Sequence, residues 1–206
     1  MNIQIDDLLI NDNVKNIIFK HYNNLNFLIY GPPGTGKTTI IQSFMNNIKD
    51  VDKLLIDVSV DRGIDVIKNK VIEYINAGSF YDNKIIIMDE MDSLTIDAQN
   101  TLNYFVDEVK YPNIHYIFVC NYNNNIIQSI ISKCAILRID IKPNKHLLER
   151  CLWKLNNLNI IISEDSINYI IKYYNCDIRK IFNFLNELSI IYKKSFIPFS
   201  LIKDKI

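Results

Sequence analysis

The sequence is organised around Gly31-Pro32-Pro33-Gly34-Thr35-Gly36-Lys37-Thr38, a stretch that matches the phosphate-loop pattern G-x-x-x-x-G-K-[ST] at every fixed position. The apolar residues 26–30 before it predict a buried strand, and residues 38–48 after it predict a helix, which is the context that this motif requires. Glycines let backbone N–H groups turn inward around phosphates, and the positive end of the helix points at the same anion. The stretch therefore predicts a nucleoside triphosphate site. The alternative is a plain Gly/Pro turn between a strand and a helix.

Two residues of the stretch are expected to carry its chemistry. Lys37 is expected to reach the β- and γ-phosphates, and Thr38 is expected to ligate Mg²⁺. The other predicted contacts to the nucleotide come from the loop and the start of the helix: Gly31, Pro32, Pro33, Gly34, Thr35, Gly36 and Thr39.

A pair of acidic residues, Asp89-Glu90, follows the apolar run 85–88 and gives the second motif. In a parallel sheet these carboxylates emerge at the same edge as the phosphate loop. Asp89 is expected to belong to the Mg²⁺ shell, and Glu90 to orient and polarise the attacking water as a general base. The alternative is a pair of acidic residues that cap a strand. Together with the phosphate loop, the pair predicts Mg²⁺-dependent hydrolysis of a nucleoside triphosphate.

Composition bounds the function without deciding it. The 206 residues are 49% apolar, which is enough for one α/β domain with a small appendage or for two small domains. The 23 basic and 23 acidic residues balance, so the chain has no overall electrostatic attraction to nucleic acid. Any contact with nucleic acid must therefore come from a local basic patch. The four cysteines lack C-x-x-C spacing and are expected to be reduced core residues. No apolar run reaches membrane-spanning length, and no leader is evident, so we expect a soluble, intracellular protein without membrane contact, in nucleus or cytoplasm.

Strands and helices alternate in the first two thirds of the chain and then give way to helices. Apolar runs predict strands at 26–30, 53–58, 84–88, 114–120 and 134–139, which indicates an α/β fold with a five-stranded parallel sheet. A helical face is predicted to run from Leu102 to Val109. After Pro143 only helical periodicity is evident, with Ser163 as a helix cap and a last helix from Asp177. The predicted domains are residues 1–141, which bind nucleotide, and residues 142–206, which are all-helical.

Several motifs, in order, resemble those of replication factor C small subunits, which are AAA+ clamp-loader ATPases. The Walker B region of that family resembles Ile85–Leu94 continued through Asp97–Leu102. Further matching segments are Val60–Val66, Cys120-Asn121-Tyr122, Ser132-Lys133-Cys134 and Cys176-Asp177-Ile178-Arg179. The resemblance implies an AAA+ P-loop NTPase core followed by a small helical lid, with ATP and Mg²⁺ as cofactors. It also implies that this chain lacks the family's collar domain and its N-terminal adenine-binding segment.

The resemblance also assigns roles to single residues. Asn121 matches the sensor 1 residue, which contacts the γ-phosphate or the attacking water, and Arg179 matches the sensor 2 arginine of the lid. From the residues alone, Asn121 would be a loop-capping asparagine, and the alternative for Arg179 is a solvated arginine on a helix surface. Lys133 stands where the family has an arginine finger that acts on the neighbouring subunit's ATP. Lysine is a compact point charge and not a planar fork, so trans-activation is expected to be weaker unless Lys133 is a working replacement.

The function implied by the resemblance is that of an ATPase subunit of a DNA sliding-clamp loader in DNA replication. The implied partners are other clamp-loader subunits in a hetero-oligomeric ring, the sliding clamp and primer-template DNA. Lys68 matches a basic position suited to contacting the DNA backbone, although it could be a solvated lysine on a polar helix face. Two alternatives are a non-hydrolysing, nucleotide-binding assembly subunit and a AAA+ remodeller of a protein substrate.

Overall fold

The predicted parallel sheet is confirmed and has five strands. The computed structural model describes residues 8, 10–61, 63–141, 143, 145–192 and 196–205. All neighbouring strands of the sheet are parallel, in the order β2-β3-β4-β1-β5. The bounds are β1 (Phe27–Tyr30), β2 (Asp52–Asp57), β3 (Lys84–Asp89), β4 (Ile114–Cys120) and β5 (Ala135–Arg138).

Helices cover both faces of this sheet, and a core lies on each face. Successive residues of a strand point to opposite faces. Ile86 and Met88 accordingly belong to one buried cluster, and Ile85 and Ile87 belong to the other. This explains why β3 is apolar without alternation. The helices of this unit are α1 (Asp12–His21), α2 (Lys37–Asn47), α3 (Ile64–Asn76), α4 (Ile96–Asn103) and α5 (Gln128–Ile131), with single 3-10 turns at Met91–Ser93 and Asn123–Asn125.

Two lysines of the strands satisfy the C-terminal ends of helices. Lys53 Nζ donates to Met45 O at 2.8 Å and also to Ile48 O, at the end of α2. Lys84 Nζ donates to three carbonyl oxygens at the end of α3, including Tyr74 O at 2.8 Å. The last carbonyls of a helix have no intrahelical partner and carry its negative dipole end, so a cation there is stabilising.

The predicted helical face from Leu102 to Val109 is wrong beyond Asn103. The helix α4 ends at Asn103, and Val109 is 95% exposed. Asp107 explains the difference, because its Oδ1 accepts hydrogen bonds from Val109 N at 3.0 Å and Lys110 N at 3.2 Å. An aspartate that bonds to backbone N–H groups ahead of it favours a turn over a helix.

The second compact unit is helical. The first unit ends at Ile139, and the second contains Asp140–Ile206 together with the short segment Pro33–Thr35. Ser163 caps a helix as predicted, with its Oγ accepting from Ser166 N. The helices are α6 (Lys145–Leu158), α7 (Glu164–Tyr173), α8 (Ile178–Tyr192) and α9 (Phe199–Lys205). The nucleotide-binding and lid assignments of residues 1–141 and 142–206 stay predictions.

The prediction of an all-helical unit needs one correction. Two strands of two residues each, β6 (Ile161–Ile162) and β7 (Phe196–Ile197), pair in parallel within the second unit. Two residues are too few to give an alternating pattern, so the sequence carries no periodic signal for them.

Candidate active site

The loop between β1 and α2 has the backbone features that a phosphate loop needs. Gly36 has a φ of 83° and precedes the first residue of α2, where it offers no side chain to cap the helix. Its left-handed backbone is one that glycine adopts without steric cost. At Gly31 a Cβ would lie 2.1 Å from Ile139 O, so only glycine fits there. The remaining predicted contacts, Pro32, Pro33, Gly34, Thr35 and Thr39, follow in the same loop or in the first turn of α2.

Lys37 folds back over its own loop. Its side chain is buried, and Nζ donates to Gly31 O at 2.7 Å and to Pro32 O at 2.9 Å. These acceptors are neutral carbonyls, whereas a phosphate oxygen is charged and makes the stronger hydrogen bond with an ammonium group. The ammonium is therefore held at the place where a bound phosphate would compete for it.

The two predicted metal ligands are in direct contact. Thr38 Oγ1 donates to Asp89 Oδ2 at 3.0 Å, so the start of α2 meets the end of β3. Burial raises the pKa of Asp89, and the nearby Asp57 carboxylate adds to this, while the Thr38 hydroxyl and the Glu90 N–H oppose it. A hydroxyl and a carboxylate are oxygen donors of the kind that Mg²⁺ prefers, and Mg²⁺ usually takes only one or two carboxylates from the protein. The donor set thus fits the ion.

Glu90 lies next to this pair in an uncommon backbone conformation. Its φ is 56° and its ψ is 38°, which is the left-handed region, and its side chain is exposed. The Glu90 N–H donates to Asp89 Oδ1 at 3.0 Å. A non-glycine residue with positive φ is uncommon, and such residues cluster at functional sites. The turn directs the chain from the strand into the 3-10 turn Met91–Ser93 and leaves the Glu90 carboxylate in solvent.

Asn121 is placed at the same edge of the sheet, directly after β4. Its backbone N–H donates to Asp92 Oδ2 at 3.1 Å, and the Tyr122 N–H donates to the same oxygen at 3.4 Å. Because β4 lies between β3 and β1, Asn121 follows the strand that separates Asp89 from the phosphate loop. The structure therefore brings together Lys37, Thr38, Asp89, Glu90 and Asn121.

Three residues of this edge were missed by sequence reasoning. Asp57 pairs in register with Asp89 on the adjacent strand, and Asp92 holds the chain that leaves β4. Gln99 is fully buried and ties α4 to the chain after Asn121, donating to Asn125 O at 2.9 Å and accepting from Ile127 N at 2.9 Å. A strand ending in a carboxylate was a usable signal for Asp57. The burial of Gln99 has no local signal.

Lys133 lies at the opposite, amino edge of the sheet, just before β5. Its Nζ donates to Asn103 O at 3.0 Å and to Asn103 Oδ1 at 2.9 Å, and its carbonyl oxygen accepts from Asn26 Nδ2 at 3.4 Å. A four-residue strand spans about 13 Å. Lys133 is therefore separated from the phosphate loop of its own chain, and it has a partner within the chain.

Arg179 and Lys68 are exposed. Arg179 is in the first turn of α8 in the second unit, where Ile178 N donates to Gly34 O at 3.2 Å. Lys68 is on α3 and lines a groove of about 470 Å³ with Tyr104 and Tyr111 among its neighbours. Arg62, part of the segment Val60–Val66, lies outside the described residues. The roles of Arg179 and Lys68 stay predictions.

Other chemistry is limited in the part of the chain that the structure describes. No group of three His, Cys, Asp or Glu side chains there could hold a metal ion, and no helix there is long and apolar enough to cross a membrane. The four cysteines are free thiols. Burial raises the pKa of Cys120 and Cys134 to about 12 and that of Cys151 to about 11. Thiols with such pKa values are weak nucleophiles near neutral pH.

Comparison with known proteins agrees with this geometry. The family described as "ATPase family associated with various cellular activities (AAA)" matches residues 27–141. Replication factor C small subunit 1 of Pyrobaculum aerophilum is 34% identical over 169 residues, which are 79% of this chain and 51% of that protein. Human replication factor C subunit 5 is 26% identical over 200 residues, covering 92% of this chain and 58% of that protein. The resemblance drawn from the motifs is thus confirmed, and the chain spans about half the length of these relatives.

A solved structure supports the fold. A mutant of RuvB from Thermotoga maritima superposes with a TM-score of 0.70 at 14% sequence identity, covering 98% of this chain and 70% of that one. At this identity the likeness concerns the fold alone. The predicted P-loop NTPase core of the AAA type is confirmed by the fold and by the family match.

Proposed function

Because this chain belongs to the AAA family of ATPases, we propose that it binds ATP with Mg²⁺ and hydrolyses it as a subunit of a DNA sliding-clamp loader. The observation that carries the hydrolytic part is the hydrogen bond between Thr38 Oγ1 and Asp89 Oδ2. It joins the phosphate loop to the acidic strand end in one site. The similarity to replication factor C small subunits supports the choice of clamp loading among AAA activities.

In the proposed reaction each residue of the edge has a separate task. Lys37 exchanges its loop carbonyls for phosphate oxygens, and the amino end of α2 faces the same anion. Thr38 and Asp89 hold Mg²⁺, which when bound neutralises charge on the phosphates. Glu90 orients a water molecule and takes its proton, and Asn121 donates its amide to the γ-phosphate or to that water.

The remaining assignments concern the next subunit, the lid and the macromolecular partners. Lys133 acts on ATP bound by the next subunit of a hetero-oligomeric ring, a role that its place at the amino edge, away from its own phosphate loop, supports. Arg179 senses the γ-phosphate from the lid. Lys68 contacts the backbone of primer-template DNA, and the sliding clamp is the other macromolecular partner.

The hydrolytic proposal is tested by two variants with different expected failures. Lys37→Ala is expected to weaken ATP binding, because a charged contact to the phosphates is lost. Glu90→Gln is expected to keep binding but to lower turnover about 10²- to 10⁴-fold, the usual contribution of a general base. Glu73→Gln, on the exposed face of α3, is the matched control. Wild-type turnover in both site variants would refute the proposed hydrolytic role of this site.

The partners are tested by what stimulates hydrolysis. Turnover is expected to rise with primer-template DNA and a sliding clamp in the presence of related subunits, and DNA binding should weaken with salt. Lys68→Ala is expected to reduce the slope of log affinity against log salt by about one. Binding without turnover beside such subunits would favour a non-hydrolysing assembly role. Stimulation by a protein substrate together with indifference to DNA would favour a remodeller.

A further inference from the structure

One carboxylate ties the turn after Glu90 to the end of a neighbouring strand. Asp92 Oδ2 accepts hydrogen bonds from the backbone N–H groups of Asn121 and Tyr122 at 3.1 and 3.4 Å. A carboxylate that accepts N–H groups makes charge-assisted bonds, which are stronger than neutral ones. Since β4 ends at Cys120, Asp92 fixes the first two residues of the chain that leaves the sheet.

The other oxygen of the same carboxylate is left unsatisfied. Asp92 Oδ1 is buried and has no hydrogen-bond partner among the described residues. Buried polar atoms are nearly always paired, and an unpaired one costs free energy. A small apolar residue at this place would avoid the cost. The carboxylate is therefore explained by what Oδ2 does for the chain after β4.

We propose that Asp92 is a positioning residue for ATP hydrolysis and that it acts through Asn121. The proposal rests on the proposed function, in which Asn121 donates to the γ-phosphate or the attacking water. The turn that carries Asp92 begins directly after Glu90, so this carboxylate links the water-orienting residue to the sensor on the adjacent strand. Asp92 thereby sets the separation of Glu90 and Asn121, and it touches neither nucleotide nor water itself.

The first readout is structural and does not depend on activity. In Asp92→Ala, the backbone amides of Asn121 and Tyr122 are expected to exchange with deuterium faster than in the wild type, while amides within β4 keep their protection. Asp97→Ala, which removes an exposed carboxylate from the first turn of α4, should leave that exchange unchanged. If Asp92→Ala does not fold, the near-isosteric Asp92→Asn carries the same comparison with a weaker acceptor. Unchanged exchange at Asn121 and Tyr122 overturns the proposal.

The second readout is kinetic. Asp92→Ala is expected to lower kcat about 10- to 100-fold, the cost of a small misplacement, with ATP affinity unchanged. Asp92→Asn should retain part of the activity. Adding Asp92→Ala to Asn121→Ala should cause no further loss, because the two residues act as a unit. If the losses are additive, the positioning role of Asp92 is overturned and the proposed function stands. If the wild-type chain shows no turnover beside related subunits, the proposed function itself is overturned.

Discussion

Replacing Lys133 by methionine is expected to destabilise the first unit of the isolated chain. Lys133 Nζ donates to both the main-chain and side-chain oxygens of Asn103, at 3.0 and 2.9 Å, and so caps the C-terminal end of α4. Methionine keeps an apolar stem of similar length but removes the charge and both hydrogen bonds. The loss of stability in this variant therefore measures the contribution of the Lys133 ammonium group.

The expected size follows from these two contacts. A hydrogen bond to a charged group contributes about 1.5 to 3 kcal/mol to stability. Lys133 and Asn103 are only half-buried, so water replaces part of what is lost. We therefore expect about 1 to 2 kcal/mol for the pair of bonds, which corresponds to a fall of about 2 to 8 °C in the unfolding midpoint for a chain of this size.

The assay is thermal unfolding of the nucleotide-free chain followed by circular dichroism. Lys49→Met, which removes an exposed lysine, is the control. Asn103→Ala and the double variant complete a mutant cycle, in which a coupling of about 0.5 to 1 kcal/mol is expected because the residues touch. A midpoint for Lys133→Met equal to that of Lys49→Met, with no coupling to Asn103, would refute the reasoning and leave Lys133 solely as a trans-acting finger.

Three further predictions concern ionisable groups. Asp89→Asn is expected to raise the unfolding midpoint of the nucleotide-free chain at pH 7, because burial raises the pKa of Asp89 and disfavours its charged form in the folded state. The stability linked to a raised folded pKa is fully present below the unfolded pKa and is lost as pH rises through the folded pKa. The gain of the variant over the wild type should therefore vanish below about pH 4, as melts across pH will show. Lys84→Met should lower the midpoint more than Lys49→Met, since Lys84 Nζ bonds to three carbonyl oxygens at the end of α3. Iodoacetamide at pH 8 should label Cys120 and Cys134 far more slowly in the native than in the unfolded chain, because their pKa values are about 12; rapid native labelling, read by mass, would contradict this.

Much of the fold could be predicted from the sequence because its signals are local. The apolar runs and the phosphate-loop pattern located the five strands of the sheet to within two residues at each end. Local periodicity failed at Val109, where the turn made by Asp107 outweighs an apolar pattern that still suits a helix. It also gave no sign of β6 and β7, because two residues are too few to show an alternating pattern.

The parts of the site that sequence could not supply depend on which strands are neighbours. Asp57 faces the site because β2 pairs with β3 in a register that puts Asp57 beside Asp89. The Lys133 contact with Asn103 joins segments 30 residues apart. Contacts of this kind follow from how strands and helices pack in the folded chain, and no pattern along the sequence encodes them.

The strand order gives the physical reason for placing Asn121 in the chemistry. In the order β3-β4-β1, the strand that Asn121 directly follows separates the acidic edge from the phosphate loop, and neighbouring strands are about 4.8 Å apart. The Thr38 contact with Asp89 therefore passes the end of β4, which Asn121 directly follows. We therefore expect the side chain of residue 121 to face an anion held by the loop.

This position predicts a charge-specific effect. Asn121→Asp is expected to weaken ATP binding about 30-fold, because two unit charges about 8 Å apart repel by about 2 kcal/mol at an effective dielectric constant near 20. Asn121→Ala should instead lower turnover and leave affinity nearly unchanged, since it removes a donor without adding charge. Titration with a fluorescent ATP analogue distinguishes the two variants. Equal affinities for the Asp and Ala variants would mean that residue 121 does not face the phosphates, which would withdraw its role in hydrolysis.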